Sequence, residues 1–429
     1  MVIPESAALV DRPLPTDHVT SREHAEGYVA MVCFKHGPPR LTGVELEWTL
    51  HDRHHPQREL SAPRLADALG LHAPRTLDAA SPHLPLARGS VVTVEPGGQV
   101  EISTLPADSL ARLLASTHED AAALNLLLHR ADLTLGETGL DPHRSPTRIL
   151  HTLRYDAMQA FFEPIGDYGI QMMSSTAGIQ VCVDADVAGA GRWQALHCLG
   201  PALVALFANS RHDVSGDTGW ASARMRATLS TSPPTSSAPA RCADPAADYA
   251  RRALDAPLVC VKDAGSWVAP TAMTFADWVN TGRRADAGPL GRPPTYDDLD
   301  YHLTTLFPPV RPHGYYEVRY LDAQPAGEWV VPVALLSSLV ADPVNLSEAL
   351  AACEPVEECW MEAARLGASH PLLARAAAAV ADAGCRAVEG ANLTPALTRT
   401  ITDLVQYRLH GRAPGGAAHD RRVATVAAH

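Results

Sequence analysis

The sequence predicts an α+β fold, in which a mainly antiparallel sheet carries helices on its outer side. Three observations support this prediction. Short segments alternate apolar and polar residues with period two, a Pro-Gly-Gly turn joins two such segments, and longer amphipathic segments separate the strands. A chain of 429 residues is too long for one simple core, so we expect one large domain or two intimately packed domains.

The predicted strands share an alternation of apolar and polar residues. They cover residues 43–50, the hairpin at 90–104, and residues 176–186 and 315–323. In the first strand Val44, Leu46 and Trp48 face one side, whereas Glu45 and Glu47 face the other. This alternation predicts a sheet with one apolar face and one polar face.

The predicted helices are amphipathic or apolar segments between and after the strands. They cover residues 21–35, 107–132 and 192–210, and an Ala-rich region from 331 to 410. The segment 228–240 has the Ser, Thr and Pro content of a loop, and we expect a disordered surface loop there rather than an ordered lid.

The composition argues against several classes of partner. A net charge of −13 disfavours nucleic acid and anionic membranes, because both attract basic surfaces. The eight cysteines are scattered without a C-x-x-C pair, so we expect reduced thiols and a cytoplasmic location. The first residues lack the basic start and apolar segment of a signal peptide, and no apolar run is long enough to span a bilayer. The sequence leaves the oligomeric state open and favours a monomer.

Carboxylates lie on the polar side of the predicted strands. Glu45 and Glu47 are two residues apart and therefore share a face. If Glu95 pairs with Gln99 across the Pro-Gly-Gly turn, Glu101 lies diagonally on the face of Glu95, at about 7–8 Å between Cα atoms. Both hairpin carboxylates can then reach one ion.

Two later strands add further polar side chains to this pattern. Glu317 and Arg319 share one strand face, and Gln180 and Cys182 share another. Any single strand could have merely an apolar back and a solvated front. The three acidic segments together favour one sheet whose polar faces line a single cavity with up to five carboxylates.

Such a cluster of carboxylates requires cations. Without them the negative charges repel one another, and the pKa values rise until some groups become neutral. Carboxylate oxygens suit Mg²⁺ or Mn²⁺, and the lack of nearby Cys and His pairs argues against zinc.

A site with several divalent cations and an arginine, but with no nucleophilic side chain, is suited to phosphoryl transfer. The chain has no G-x-x-x-x-G-K-[ST] motif, and Lys262 stands in no such context, so a P-loop enzyme is excluded. A G-x-S-x-G motif is also absent from the sequence.

The motifs resemble those of glutamate–cysteine ligases of the second, plant-and-bacterial type. The first strand, GVELEW, is similar to the family's G-x-E-x-E strand, and EPGGQVEIS is similar to its E-P-G-G-Q-x-E-L-S hairpin. Further on, TAGIQVCVD resembles Q-V-N-x-D, ANSRHDVSGDTGWASARMR resembles A-N-S…G-[YW]-x-S-x-R, and GYYEVRYLD resembles Y-x-E-x-R-x-x-D. The motifs occur in family order over residues 20–325. Length and composition are similar to the actinobacterial branch that serves ergothioneine synthesis.

This resemblance implies a curled antiparallel sheet similar to that of glutamine synthetase, with ATP and Mg²⁺ or Mn²⁺ bound. It implies ligation of the γ-carboxyl of L-glutamate to the amine of L-cysteine through γ-glutamyl phosphate, with ADP and phosphate as products. We then expect a catalytic core over residues 20–330, a helical region packed on it over 331–411, and a disordered tail over 412–429.

The resemblance also implies roles for individual residues. The residues that look like metal ligands are Glu45, Glu47, Glu95, Glu101 and Glu317. Gln180 stands where the distant bacterial type has a metal-binding His, and it joins the expected ligands. Arg319 looks like the arginine that stabilises the transition state, with a structural pairing to Asp322 as the alternative. Arg224 resembles the arginine that holds a substrate carboxylate.

Three features of the chain leave alternatives open. The family's Asn in Q-V-N is Cys182 here, so the amine site differs or the substrate contact comes from elsewhere, although a thiol that only fills space is favoured. We expect a solvated loop rather than a metal site at 51–55, HDRHH. For Arg311, a position near the phosphates and a position in a turn before the strand are equally expected.

The alternative functions are a ligase that uses another amine and a non-catalytic nucleotide- or metal-binding protein.

Overall fold

Ten strands are present in the computed structural model, which describes residues 18–35, 41–185, 191–263, 265–282, 288–325 and 327–410. The strands are β1 (Thr42–Trp48), β2 (Leu50–Asp52), β3 (Val91–Val94), β4 (Val100–Ser103), β5 (Leu133–Leu135), β6 (Gly178–Asp184), β7 (His212–Asp213), β8 (Gly216–Asp217), β9 (Val310–Pro312) and β10 (Tyr315–Asp322). Six of them form one sheet in the order β3-β4-β1-β6-β10-β9, and every neighbouring pair is antiparallel. The predicted antiparallel sheet is confirmed.

Sixteen α-helices lie within the described ranges. They are α1 (Arg22–Cys33), α2 (Ala62–Leu69), α3 (Leu110–Arg130), α4 (Leu153–Phe162), α5 (Tyr168–Ser175), α6 (Gly191–Phe207), α7 (Ala223–Thr231), α8 (Pro233–Ser236), α9 (Pro245–Asp255), α10 (Phe275–Gly282), α11 (Tyr296–Leu303), α12 (Val330–Ala341), α13 (Pro343–Cys353), α14 (Trp360–Leu366), α15 (Pro371–Glu389) and α16 (Pro395–His410).

One face of the six-stranded sheet is apolar and covered by helices. Leu46, Val181 and Val318 are buried on this face, as expected from strands that alternate with period two. Helix α3 packs on β1, α12 packs on β6, and α6 packs on β10. The helices on the outer side of the sheet are therefore confirmed, and the opposite face remains for polar side chains.

The region from 330 to 410 is helical, as predicted. Helix α15 packs against α6, α12 and α13, and α16 packs against α12 and α15. The domain boundaries at 330 and 411 stay a prediction, and the predicted tail at 412–429 lies outside the described residues.

No single helix in the described ranges is both long and apolar enough to cross a membrane. Within these ranges, only the pair formed by Val330–Ala341 and Pro343–Val356 reaches that length and hydropathy, and it is bent by 107° at the break between the two segments.

The expectation of a disordered loop at 228–240 is wrong. Helices α7 and α8 cover most of this segment, and Thr231 and Ser236 are fully buried. The hydroxyl of Thr231 donates to the carbonyl of Thr228, and that of Ser236 donates to the carbonyl of Ser232. A composition typical of loops is compatible with helix here, because the hydroxyl groups find carbonyl partners within the segment.

The expectation of a solvated loop at 51–55 is only half right. His51 and Asp52 are buried in β2, whereas the two histidines that follow are exposed. The carboxylate of Asp52 accepts hydrogen bonds from Arg58 and Arg64, each at 2.9 Å. These ion pairs allow a charged group to lie in the interior.

The hairpin turn between β3 and β4 is docked against the segment that leads into β6. The side-chain amide of Gln99 accepts from the backbone N–H of Gly97 at 3.0 Å and donates to the carbonyl of Thr176 at 2.9 Å. A Cβ atom at position 97 would lie 2.0 Å from the carbonyl oxygen of Ser174. Glycine is therefore required for the close approach that holds the hairpin in place.

We expect Gly97→Ala to lower the free energy of unfolding by about 2 kcal/mol, because the methyl group forces two backbone segments apart. Chemical denaturation measures this change. Gly27→Ala in α1 is the matched control, since no atom lies within 4 Å of the added Cβ. The control should be neutral or stabilising by up to about 1 kcal/mol. Equal stability of the two variants would contradict the close packing of the turn.

Candidate active site

The sheet face opposite the helices carries acidic and amide side chains from four strands. Neighbouring strands bring the pairs Glu47–Glu101, Glu45–Gln180 and Glu317–Cys182 directly opposite one another. Opposed residues in an antiparallel sheet point to the same side. The structure thus brings all the predicted carboxylates of β1, β4 and β10 to one face.

Three carboxylates of this face form a compact cluster, which we call the acidic triad: Glu47, Glu95 and Glu101. One oxygen from each lies within 4.8 Å of the others. The backbone N–H of Glu95 donates to the carbonyl of Gln99 at 2.8 Å, which is the pairing assumed for the hairpin. Glu95 and Glu101 are therefore diagonal neighbours, and Glu47 lies opposite Glu101.

Hydrogen bonds from neighbouring groups orient two members of the acidic triad. Glu101 accepts from the hydroxyl of Thr93 at 2.7 Å. Glu47 accepts from the backbone N–H of Gly178 at 2.9 Å and from the side-chain amide of Gln180 at 3.0 Å. These donors hold the oxygens in position without neutralising their charge.

Burial and mutual repulsion raise the pKa values of the acidic triad. Burial, followed by the charge of Glu47, raises the pKa of Glu95 to about 7. Burial and then the charge of Glu45 raise the pKa of Glu101 well above its ordinary value. For Glu47, burial raises the pKa despite the opposing effect of Arg224 and Arg319. A divalent cation would stabilise the ionised forms, and three carboxylates are ligands that fit Mg²⁺ or Mn²⁺.

Arginines dominate the other half of the face. Arg319 donates through Nη1 to Oε1 of Gln180 at 2.7 Å and to Oε1 of Glu317. Nη1 of Arg311, on β9, lies 3.3 Å from the same oxygen of Glu317. Burial alone would raise the pKa of Glu317, but Arg311 and Arg319 hold it down to about 2. Glu317 therefore lies among guanidinium groups and outside the acidic triad.

An irregularity in the strand register determines where the side chain of Arg319 lies. The pairing of β10 with β6 shifts between Val318 and Leu321, and Arg319 lies within this irregularity. Irregularities of this kind re-aim side chains and are frequent beside active sites. The guanidinium of Arg319 thereby reaches both Glu317 and Gln180.

Arg224 lies at the start of α7 behind the arginine half of the face. Its Nη2 donates to the backbone carbonyl of Arg319 at 2.8 Å, and its Nη1 lies 3.9 Å from Asp322. Asp322 also accepts from the hydroxyls of Ser210 and Ser222 at 2.7 and 2.8 Å. Asp322 further accepts from the backbone N–H of Asn209 at 2.8 Å. The guanidinium of Arg319 binds Gln180 and Glu317 instead of Asp322.

Sequence reasoning missed Arg154, which approaches the acidic triad from α4. Its guanidinium lies 5.0 Å from the ring centroid of Tyr301 and donates to the hydroxyl of Thr304 at 3.0 Å. Its positive charge opposes the rise in the pKa of Glu95. An arginine in the first turn of a helix carries no separate signal in the sequence, so only the three-dimensional arrangement identifies it.

Comparison with known proteins identifies the family. The family model described as glutamate–cysteine ligase family 2 matches residues 41–402. The chain belongs to glutamate–cysteine ligase family 2. This confirms the family predicted from the strand and hairpin motifs.

Individual members of the family are similar over almost the whole chain. The glutamate–cysteine ligase EgtA of Mycolicibacterium smegmatis is 36% identical over 417 residues, which are 94% of this chain and 92% of that protein. EgtA of Mycobacterium tuberculosis is also 36% identical and covers 98% of this chain and 95% of its own length. These matches confirm the predicted actinobacterial branch.

More distant members of the family match less closely. The chloroplastic glutamate–cysteine ligase of Brassica juncea is 29% identical over 54% of this chain and 46% of its own length. A crystal structure of a Francisella tularensis glutamate–cysteine ligase in complex with AMP is 14% identical, with a TM-score of 0.47 over 91% of this chain and 93% of that one.

We expect Mg²⁺ or Mn²⁺ to raise the melting temperature more at about pH 8 than at about pH 6. A raised pKa in the folded protein means that stability from Glu95 is present below its unfolded pKa and is lost as the pH rises through about 7. A bound cation counteracts this loss, so its effect grows over the same interval.

Calorimetry with and without the cation at several pH values measures this effect. Glu95→Gln should flatten the pH dependence, because the amide does not titrate. Glu348→Gln is the matched control, since Glu348 is an exposed carboxylate on α13. A cation-induced shift that is the same at both pH values would contradict the role of the acidic triad.

Proposed function

We propose that this protein is an ATP-dependent glutamate–cysteine ligase that joins the γ-carboxyl of L-glutamate to the amine of L-cysteine. The observation that carries the proposal is the acidic triad beside Arg319 on one sheet face of a family 2 chain. Carboxylates for cations and a guanidinium for phosphate are the groups that phosphoryl transfer needs. The product would enter ergothioneine synthesis, as the actinobacterial branch implies.

The reaction proceeds in two displacements. A γ-carboxylate oxygen of glutamate attacks the γ-phosphorus of ATP, the bond between this phosphorus and the bridging oxygen breaks, and ADP leaves with the electron pair. The neutral amine of cysteine then attacks the acyl carbon of γ-glutamyl phosphate. The carbon–oxygen bond breaks, inorganic phosphate leaves, and the nitrogen loses a proton to give γ-glutamylcysteine. Activation is necessary because hydroxide is a poor leaving group.

The acidic triad would hold the divalent cation. When bound, Mg²⁺ or Mn²⁺ neutralises the phosphate oxygens of ATP. Glu45 and Glu317 extend the same face and are further proposed ligands. The side chain of Gln180 donates to Glu47 and accepts from Arg319, so it orients both halves of the site, and direct ligation of the cation would cost the hydrogen bond to Arg319.

The arginines would bind the anionic groups of the substrates. Arg319 presents its guanidinium on the polar face and is suited to stabilise the transferring phosphoryl group. Arg224 is buried and anchored by the carbonyl of Arg319 and by Asp322, which fixes its position for a substrate carboxylate. Both assignments depend on planar guanidinium geometry that lysine does not offer.

The departure from the family pattern at Cys182 motivates a second candidate, a ligase that uses another amine. The family's Asn at this position is replaced by a thiol on the polar face, opposite Glu317. Burial raises the pKa of the Cys182 thiol well above its ordinary value, so the group is neutral and suited to filling space. A changed contact near the reacting groups could change the preferred amine.

A phosphate-release assay with ATP, Mg²⁺, L-glutamate and a panel of amines tests both candidates. We expect phosphate release that depends on glutamate and is highest with L-cysteine, with one γ-glutamylcysteine formed per phosphate. Higher activity with a different amine would support the second candidate. No glutamate-dependent release with any amine would refute the ligase assignment.

We expect Arg319→Ala to lower kcat by on the order of 10³-fold or more, because transition-state arginines have this effect in other phosphoryl-transfer enzymes. The KM for ATP should change much less. Arg319→Lys should restore only part of the activity, since a point charge replaces a planar fork.

Arg386→Ala is the control for the loss of an arginine. Arg386 pairs with Glu348 on the surface of α13 and α15. Steady-state kinetics and the melting temperature should be measured together. A folded Arg319→Ala variant with nearly normal kcat would end the catalytic assignment, and a large loss of melting temperature would indicate a structural role.

A further inference from the structure

Glu317 is bound by two arginines through one oxygen. Arg311 lies directly opposite Glu317 across β9 and β10, with Nη1 at 3.3 Å from Oε1. Nη1 of Arg319 donates to the same Oε1. Nε of Arg311 is buried and has no hydrogen-bond partner among the described residues. The arginine of the edge strand therefore has unused hydrogen-bonding capacity beside the proposed phosphate site.

We propose that Arg311 is a second phosphate-binding arginine. When a divalent cation binds Glu317, Arg311 leaves this carboxylate and binds the polyphosphate of ATP instead. This inference rests on the proposed function, because it takes ATP as the nucleotide and Glu317 as a cation ligand. It assigns to Arg311 a role distinct from that of Arg319.

The exchange follows from the charges around Glu317. A divalent cation on this carboxylate repels the two guanidinium groups that share its Oε1. Arg319 retains a second partner, because its Nη1 also donates to Gln180 at 2.7 Å. Its backbone is held on both sides, since its N–H donates to Pro309 and its carbonyl accepts from Arg224. Arg311 is therefore the arginine that changes partner.

The donor geometry of Arg311 favours phosphate as the new partner. A guanidinium can present two parallel N–H donors, and phosphate accepts them in a bidentate arrangement. The unpartnered Nε–H lies on the edge of the guanidinium that it shares with Nη2, and this edge presents the parallel pair of donors. Nη1 adds a further donor once it leaves Glu317. Glutamate is the other anion of the proposed reaction, so the experiment must distinguish its carboxylates from phosphate.

Titration calorimetry of Arg311→Gln separates binding of the cation from binding of the nucleotide. The probes are Mn²⁺ alone and a non-hydrolysable ATP analogue in the presence of Mn²⁺. We expect the variant to bind the analogue about tenfold or more weakly, since it loses a charge-assisted bidentate contact. Mn²⁺ alone should bind as tightly as to the wild type or more tightly, because Glu317 loses a competing cation. Arg311→Lys should show an intermediate affinity for the analogue.

Arg386→Gln is the matched control and should change neither affinity, because it breaks only surface contacts with Glu348 and Asn345. A merely structural role for Arg311 would lower the melting temperature and weaken both probes together. That result would overturn the inference. If Arg311→Gln does not fold, Arg311→Lys is titrated with the same two probes. Weaker binding of the analogue with unchanged binding of Mn²⁺ supports the inference, and weaker binding of both probes overturns it.

Three further outcomes would also overturn the inference. They are an unchanged affinity for the analogue, a weaker affinity for glutamate with normal affinity for the analogue, and a wild-type protein that binds no adenine nucleotide. Failure of the proposed ligase function is a separate result, because it is measured as absent phosphate release with every amine. The analogue titration decides the role of Arg311 even then.

Discussion

Repulsion between buried carboxylates is the constraint on which the site depends. Strands β1 and β4 bring Glu47 and Glu101 opposite each other, and the hairpin adds Glu95 diagonally. The result is two electrostatic halves on one sheet face. In the acidic half the pKa of Glu95 rises to about 7, whereas beside the arginines the pKa of Glu317 falls to about 2. One half attracts cations and the other attracts anions, which is the polarity that a metal–nucleotide complex requires.

The rest of the fold holds these halves at a fixed separation. Helices α3, α6 and α12 cover the apolar face, so the sheet cannot relax by turning its charged side chains toward that face. Asp322 accepts from the backbone N–H of Asn209 and from two serines, and it thereby ties β10 to the segment before α7. Arg224 lies in the first turn of that helix and donates to the carbonyl of Arg319. Movement of α7 would therefore displace the arginine half of the site.

The elements that could be predicted from the sequence are those determined by local patterns. Alternation identifies β1 and places Glu45 and Glu47 on one face, and the Pro-Gly-Gly turn identifies the hairpin. Non-local features could not be predicted in the same way. The contact of Arg311 with Glu317 depends on register across β9 and β10, and helix α8 depends on hydroxyl groups finding carbonyl partners in a docked segment. Composition alone does not report either arrangement.

Gln180 links the two halves because a neutral amide donates and accepts at once. Its nitrogen donates to Glu47 at 3.0 Å, and its oxygen accepts from Arg319 at 2.7 Å. A carboxylate at this position would add a negative charge to the acidic half and could not donate to Glu47 in its ionised form. A lysine could donate but could not accept from Arg319. The amide therefore couples the orientation of a proposed cation ligand to that of the proposed phosphate-binding arginine, without shifting the charge balance between them.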